Sequence, residues 1–72
     1  MATRMAPGVP LTPREAEVAR LAAAEGLRSA QAAARLGVSP RTVEGHLRSA
    51  YVKTRTRNRV TLLLWLADHP PG

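Results

Sequence analysis

The chain has 72 residues, no cysteine, and 11 Lys and Arg against 5 Asp and Glu, a net charge of +6. That length fits one small domain that buries only about 60% of its unfolded surface. It has neither a disulfide staple nor a thiolate metal site. Residues 1–10 carry Arg4, Pro7, Gly8 and Pro10 in place of the hydrophobic stretch of a signal peptide. The longest apolar run, Leu62 to Ala67, is far short of the roughly 20 residues of a membrane span. The expectation is a cytoplasmic chain with no membrane partner.

The first ten residues are expected to be a flexible leader, because Pro7, Gly8 and Pro10 forbid a regular helix. Thr12-Pro13 opens a first helix: Thr12 caps, Pro13 suits the first helical position, and Glu15 completes a capping box. This helix is predicted to run to about Ala24 or Glu25, with Val18, Leu21 and Ala22 inward. Gly26 ends it and Leu27 packs beneath the turn. Ser29 is the expected cap of a second helix ending at Leu36, with Ala33 and Leu36 inward. Gly37 supplies a positive φ, and Ser39-Pro40 opens a third helix. There Val43, Leu47, Ala50 and Tyr51 recur at i, i+4, i+7 and i+8, one buried stripe. Arg41, Glu44, Gly45, Arg48, Ser49 and Val52 form the opposite face. Lys53 to Arg57 reads as an exit turn, and Asn58 caps a fourth helix that runs to about Asp68. Trp65 is expected at the edge of the core. The folded unit is thus all-α, four helices over residues 11–69, followed by a 70–72 tail.

The second and third helices, with Ala33 small at the crossing and Gly37 four residues on, make the helix-turn-helix pattern. In that pattern the later helix enters the DNA major groove. Charge follows it. Residues 39–59 hold Arg41, Arg48, Lys53, Arg55, Arg57 and Arg59 with Glu44 as their one acid. Such clustering is the footprint expected for phosphate, against the alternative of a merely solvated basic face.

Single residues take roles on this basis. Arg48 can fork to guanine O6 and N7, and Glu44 can accept from cytosine N4. Gly45 lets the backbone approach the groove floor. The alternative for Glu44 is an i,i+4 ion pair with Arg48. Ser29, Ser39, Arg41 and Thr42 sit at helix starts, where hydroxyls, amides and the helix dipole suit phosphate oxygens. For the two serines, capping is the main role. His46 either touches phosphate or packs at the helix edge. Lys53, Arg55, Arg57 and Arg59 are further backbone-contact candidates. The fourth helix is apolar nearly all round. Its Val60, Leu64 and Ala67 form a candidate dimer seam, with Leu62, Leu63 and Leu66 on a second face.

The chain resembles the LuxR-type helix-turn-helix DNA-binding domain of bacterial transcription regulators. The resemblance lies in Leu11-Thr12-Pro13-Arg14-Glu15, Glu17-Val18, Gly26-Leu27, Ala33 through Glu44, His46-Leu47 and Arg57-Asn58-Arg59-Val60, across about residues 11–68. It implies four helices, the third reading DNA and the fourth often forming the dimer seam. The family usually has Leu-Gly-Val where this chain has Thr54-Arg55-Thr56. Either that turn is looser here, or it has become an extra phosphate contact. The segment between Val18 and Gly26 is one residue longer than usual, and Ala32 replaces a larger aliphatic.

The expected function is sequence-specific binding of double-stranded DNA by a dimeric transcription regulator, its operator an inverted repeat. The seam is short enough for pairing to wait for DNA, and RNA polymerase is a candidate further partner. A sigma-factor-like promoter-reading module and a protein-interaction module without DNA are the alternatives. The helix-four stripe argues against the first and the basic surplus against the second. Catalysis finds no nucleophile–base pair, paired carboxylates or phosphate-binding glycine loop. His46 and His69, without a carboxylate cluster, make no metal site, and no cofactor is expected. Family members usually carry a receiver or ligand-binding domain ahead of this one. The chain is then either a short regulator controlled by abundance or a piece of a longer one.

Overall fold

The computed structural model describes residues 11–69. The expected leader, 1–10, and tail, 70–72, lie outside them. The described residues form α1 (Pro13–Ala19), a π-helical continuation (Arg20–Ala24), α2 (Ser29–Leu36), α3 (Pro40–Thr54) and α4 (Arg59–Asp68), with no strand among them. The all-α, four-helix expectation holds.

Local chemistry sets most of the boundaries. The Glu15 backbone N–H donates to Thr12 Oγ1 at 3.1 Å, and the Thr12 N–H donates to Glu15 Oε1 at 3.0 Å, closing the capping box. Ser39 accepts from the Thr42 N–H at 3.1 Å with Pro40 in the first helical position. Asn58 accepts from the Thr61 N–H at 2.9 Å, and Thr61 Oγ1 accepts from the Asn58 N–H at 3.2 Å. The second helix differs from expectation. Ser29 is its first helical residue, and Arg28 holds the cap position. Arg28 has no side chain able to accept, so Gln31 Oε1 takes the Arg28 N–H at 2.9 Å instead.

The first helix departs from α geometry within the segment that the resemblance implies is one residue longer. From Arg20 to Ala24 the backbone is π-helical, and the Glu25 N–H reaches Arg20 O, five residues back, at 3.1 Å. A π turn is how a helix absorbs one inserted residue without losing register on either side. Leu21 and Ala22 therefore still point into the core. Gly26, at φ +69°, ends the segment, and the Leu27 N–H bonds back to Leu21 O at 2.9 Å.

The core is built from Val18, Ala19, Leu21, Ala22, Ala32, Ala33, Val43, Leu47, Ala50 and Leu62, with Leu27, Leu36, Tyr51 and Leu66 packed against it. Helices α1 and α2 both lie on α3, whereas α4 rests mainly on the π turn and only lightly on α3. Ala32 is fully buried. Trp65 is not part of this cluster. It is half-buried and stacks on His69 with ring centroids 4.0 Å apart and planes 7° from parallel. Its expected place at the core's edge is corrected accordingly: Leu62 and Leu66 fill the inner face of α4.

The turn after α3 is closed, which overturns the looser of the two readings of Thr54-Arg55-Thr56. The buried Thr54 hydroxyl donates to Ala50 O at 2.8 Å and meets Thr56 Oγ1 at 2.8 Å. The Thr56 N–H bonds to Tyr51 O at 3.0 Å. Arg55, at φ +58° and ψ +39°, takes the left-handed conformation that favours glycine. The threonine hydroxyls and the Thr56 N–H hold this turn together.

Candidate nucleic-acid interface

Helices α2 and α3 are joined by a turn in which Gly37 is left-handed at φ +71° and its N–H bonds to Ala33 O. The Val38 N–H adds a bond to the same carbonyl at 3.0 Å. Val43, Leu47 and Ala50 turn one side of α3 into the core. The other side is left outward by helical period, and it carries exposed Arg41, Glu44, Gly45, Arg48 and Val52. Pro40, Arg41, Glu44, Gly45 and Arg48 line a shallow depression there. All three base-contact candidates thus share one concave stretch near the start of α3. An added methyl at Gly45 would meet nothing within 4 Å, so the domain's own packing gives no reason for a glycine there. Glu44 and Arg48 form no ion pair.

Ser49 is not on this outer face. Its hydroxyl donates to Glu15 Oε2 at 2.7 Å, and Lys53 Nζ donates to Glu15 Oε1 at 2.8 Å. Glu15 is buried, so one carboxylate in the first turn of α1 fastens the second half of α3 at two points. Lys53 chiefly, then the Thr12 backbone N–H and the Ser49 hydroxyl, lower the Glu15 pKa from the usual 4.5 to about 2, against the opposing effect of burial. The sequence held a signal for this: Glu15 falls three and four residues before Val18 and Ala19, on the buried stripe of α1.

The remaining charges divide by location. Arg14 pairs with Glu17, and Arg20 and Arg35 pair with Glu25. These surface pairs each contribute little to stability, but they offset much of the positive charge of the α1–α2 side. Among the described residues, Arg28, Arg41, Arg48, Arg55, Arg57 and Arg59 make no ion pair. Five of them lie on α3, its exit turn or the start of α4. Arg28, at the cap of α2, is a cation that sequence reasoning passed over, because Ser29 beside it drew the capping role. Lys53 is the one basic candidate whose charge is already engaged. Ser39 Oγ and Thr42 Oγ1 share a hydrogen bond at 3.0 Å and remain exposed. Ser29 and His46 are half-buried.

On α4, Val60 is 68% exposed, Leu64 62% and Leu63 41%, with Ala67 also exposed and Leu62 fully buried. The outward apolar arc therefore contains Leu63 as well as the three expected seam residues. Leu63 does not belong with Leu62 and Leu66. No described helix is long and apolar enough to cross a membrane.

The family model of bacterial regulatory proteins, luxR family, matches residues 9–66, and the chain belongs to that family. A Cyanophora paradoxa protein named as a transcriptional regulator, ycf29, is 41% identical over 58 residues, 81% of this chain and 27% of the relative. A Mycobacterium bovis protein named as an HTH-type transcriptional regulator, Mb0914c, is 49% identical over 53 residues, 74% of this chain and 6% of the relative. The chain thus corresponds to a minor part of each. No solved structure gives a significant match.

Proposed function

We propose that this domain binds double-stranded DNA sequence-specifically, as a dimer, to regulate transcription. Helix α3 enters the major groove with Glu44, Gly45 and Arg48 toward base edges. Ser39, Arg41 and Thr42 at its start, with Arg55, Arg57 and Arg59 beyond its end, meet phosphates on either side. Ser29 and His46 are peripheral backbone contacts. Lys53 contributes less than its charge suggests, because Glu15 holds it. The observation that carries the reading is the separation of charge. Acids pair with Arg14, Arg20 and Arg35 on the α1–α2 side, while the arginines around the outer face of α3 stay unpaired.

The outward arc Val60, Leu63, Leu64 and Ala67 supports pairing of two copies through α4. A two-fold seam there sets two reading helices about one DNA turn apart, so the operator is an imperfect inverted repeat with half-sites roughly 10 bp between centres. The seam spans only two helical turns, and pairing is completed on DNA. Selection of duplexes from a random pool tests this directly. The chain enriches such a repeat and binds it cooperatively, whereas Leu64→Asp keeps its helical circular dichroism and loses the cooperativity. A pool that yields no enriched sequence removes specific reading. A cooperative Leu64→Asp variant removes α4 as the seam.

A further inference from the structure

Val52 is 71% exposed, more than any other large apolar side chain among the described residues. It adds nothing to the core, and as a β-branched residue it is a poorer helix former than the polar residues that suit an open helical surface. The fold therefore gives no account of it. Its position does. Arg41, Gly45, Arg48 and Val52 fall at i, i+4, i+7 and i+11, so Val52 lies in line with the outer face of α3, one turn past Arg48. Resting on the DNA-reading role argued above, we propose that Val52 is a specificity residue that packs its two methyl groups on the C5-methyl of a thymine in each half-site.

Three features fit valine to that task. The C5-methyl of thymine is the apolar group that base pairs display in the major groove, and a small aliphatic side chain is its matching partner. In a helix, valine holds one strongly preferred rotamer, so its methyls are presented in a fixed direction with little ordering left for binding. Seven residues separate Val52 from Gly45, about 10 Å along the helix axis. At about 3.4 Å of rise per base pair, the thymine lies two to three base pairs from the step that Gly45 faces. The flanking Arg48 and Arg55 carry unpaired guanidinium groups on either side of Val52. Their attraction for DNA brings the valine against the groove, where no hydrogen bond can satisfy it and only a hydrophobic neighbour rewards it.

The test pairs a side-chain deletion with a base deletion. Each thymine of the duplex selected by the natural chain is replaced singly by deoxyuridine, which lacks only the C5-methyl. Affinities are measured for the natural chain and for Val52→Ala. Circular dichroism confirms that the variant is folded, as expected for an exposed position. At one thymine per half-site, deoxyuridine weakens the natural chain about fivefold to tenfold, the scale of one or two buried methyl groups. Val52→Ala loses a similar factor on the thymine duplex and nothing further on the deoxyuridine duplex. Elsewhere the two proteins respond alike. The proposal is overturned if Val52→Ala binds the selected duplex as tightly as the natural chain, if every deoxyuridine penalty persists in the variant, or if the half-site contains no thymine. Each of those results leaves specific reading by α3 intact. A failure of the pool to yield any sequence would instead remove the DNA-reading role, and this inference with it.

Discussion

Acid should loosen the attachment of α3 to α1 through a single carboxyl. Glu15 is buried and accepts from Lys53, Ser49 and the Thr12 backbone. The fall of its pKa from 4.5 to about 2 corresponds to about 3 kcal/mol of folding free energy. Because the folded-state value is depressed, that contribution is fully present above about pH 4.5 and is lost as pH falls toward 2. In a domain of this size about 3 kcal/mol moves the melting temperature by roughly 15 °C. Thermal unfolding followed by circular dichroism should compare the natural chain with Glu15→Gln across pH 7 to 2. The substitution keeps an acceptor oxygen for the Thr12 N–H and lets the new amide N–H donate to Ser49 Oγ, but removes the charge facing Lys53. The gap in stability should be widest above pH 4.5 and narrow toward pH 2, as protonation removes the charge of Glu15. Repulsion among the surplus cations affects both equally and drops out of the difference. Parallel curves with a constant gap would refute the reasoning, because the hydrogen bonds would then be indifferent to the charge of Glu15.

Two further predictions concern DNA. Arg55→Ala and Arg57→Ala should each flatten the log–log salt dependence of binding by roughly 0.9, one phosphate contact apiece. Lys53→Ala, its charge already engaged by Glu15, should leave the slope nearly unchanged; salt titrations on selected and random duplexes check both. Gly45→Ala meets nothing within 4 Å and should raise stability by up to about 1 kcal/mol through helix propensity. It should at the same time weaken binding to the selected duplex by holding α3 off the groove floor, a split read by pairing thermal unfolding with affinity.

The sequence revealed what local chemistry decides. Thr12, Ser39 and Asn58 cap where expected because each side-chain acceptor needs only the N–H three residues later. Ser29 was misplaced by one residue, since the cap of α2 follows from where Gly26 and Leu27 leave the chain, and Gln31 supplies the bond that Arg28 cannot. The resemblance implied a longer segment before Gly26, but the π-helical form of Arg20–Ala24 was not legible. Leu21 to Ala24 is one leucine followed by three alanines, which offers no contrast between an α and a π turn. Ser49 and Lys53 were assigned to open surface because their partner lies 34 and 38 residues away, beyond any local pattern. The run Leu62-Leu63-Leu64 likewise hides which side faces inward. Only the seat of α4 on the π turn turns Leu62 in and leaves Leu63 and Leu64 out.

Whether α3 reads sequence through Arg48 is the claim on which the rest depends. Affinities of the natural chain and Arg48→Ala should be measured for the selected duplex and for a scrambled duplex of the same length and composition, at one fixed salt concentration. Loss of a bidentate guanine contact should cost about 1–3 kcal/mol on the selected duplex and almost nothing on the scrambled one. An equal loss on both would make Arg48 a backbone contact and contradict base reading at the centre of the α3 face.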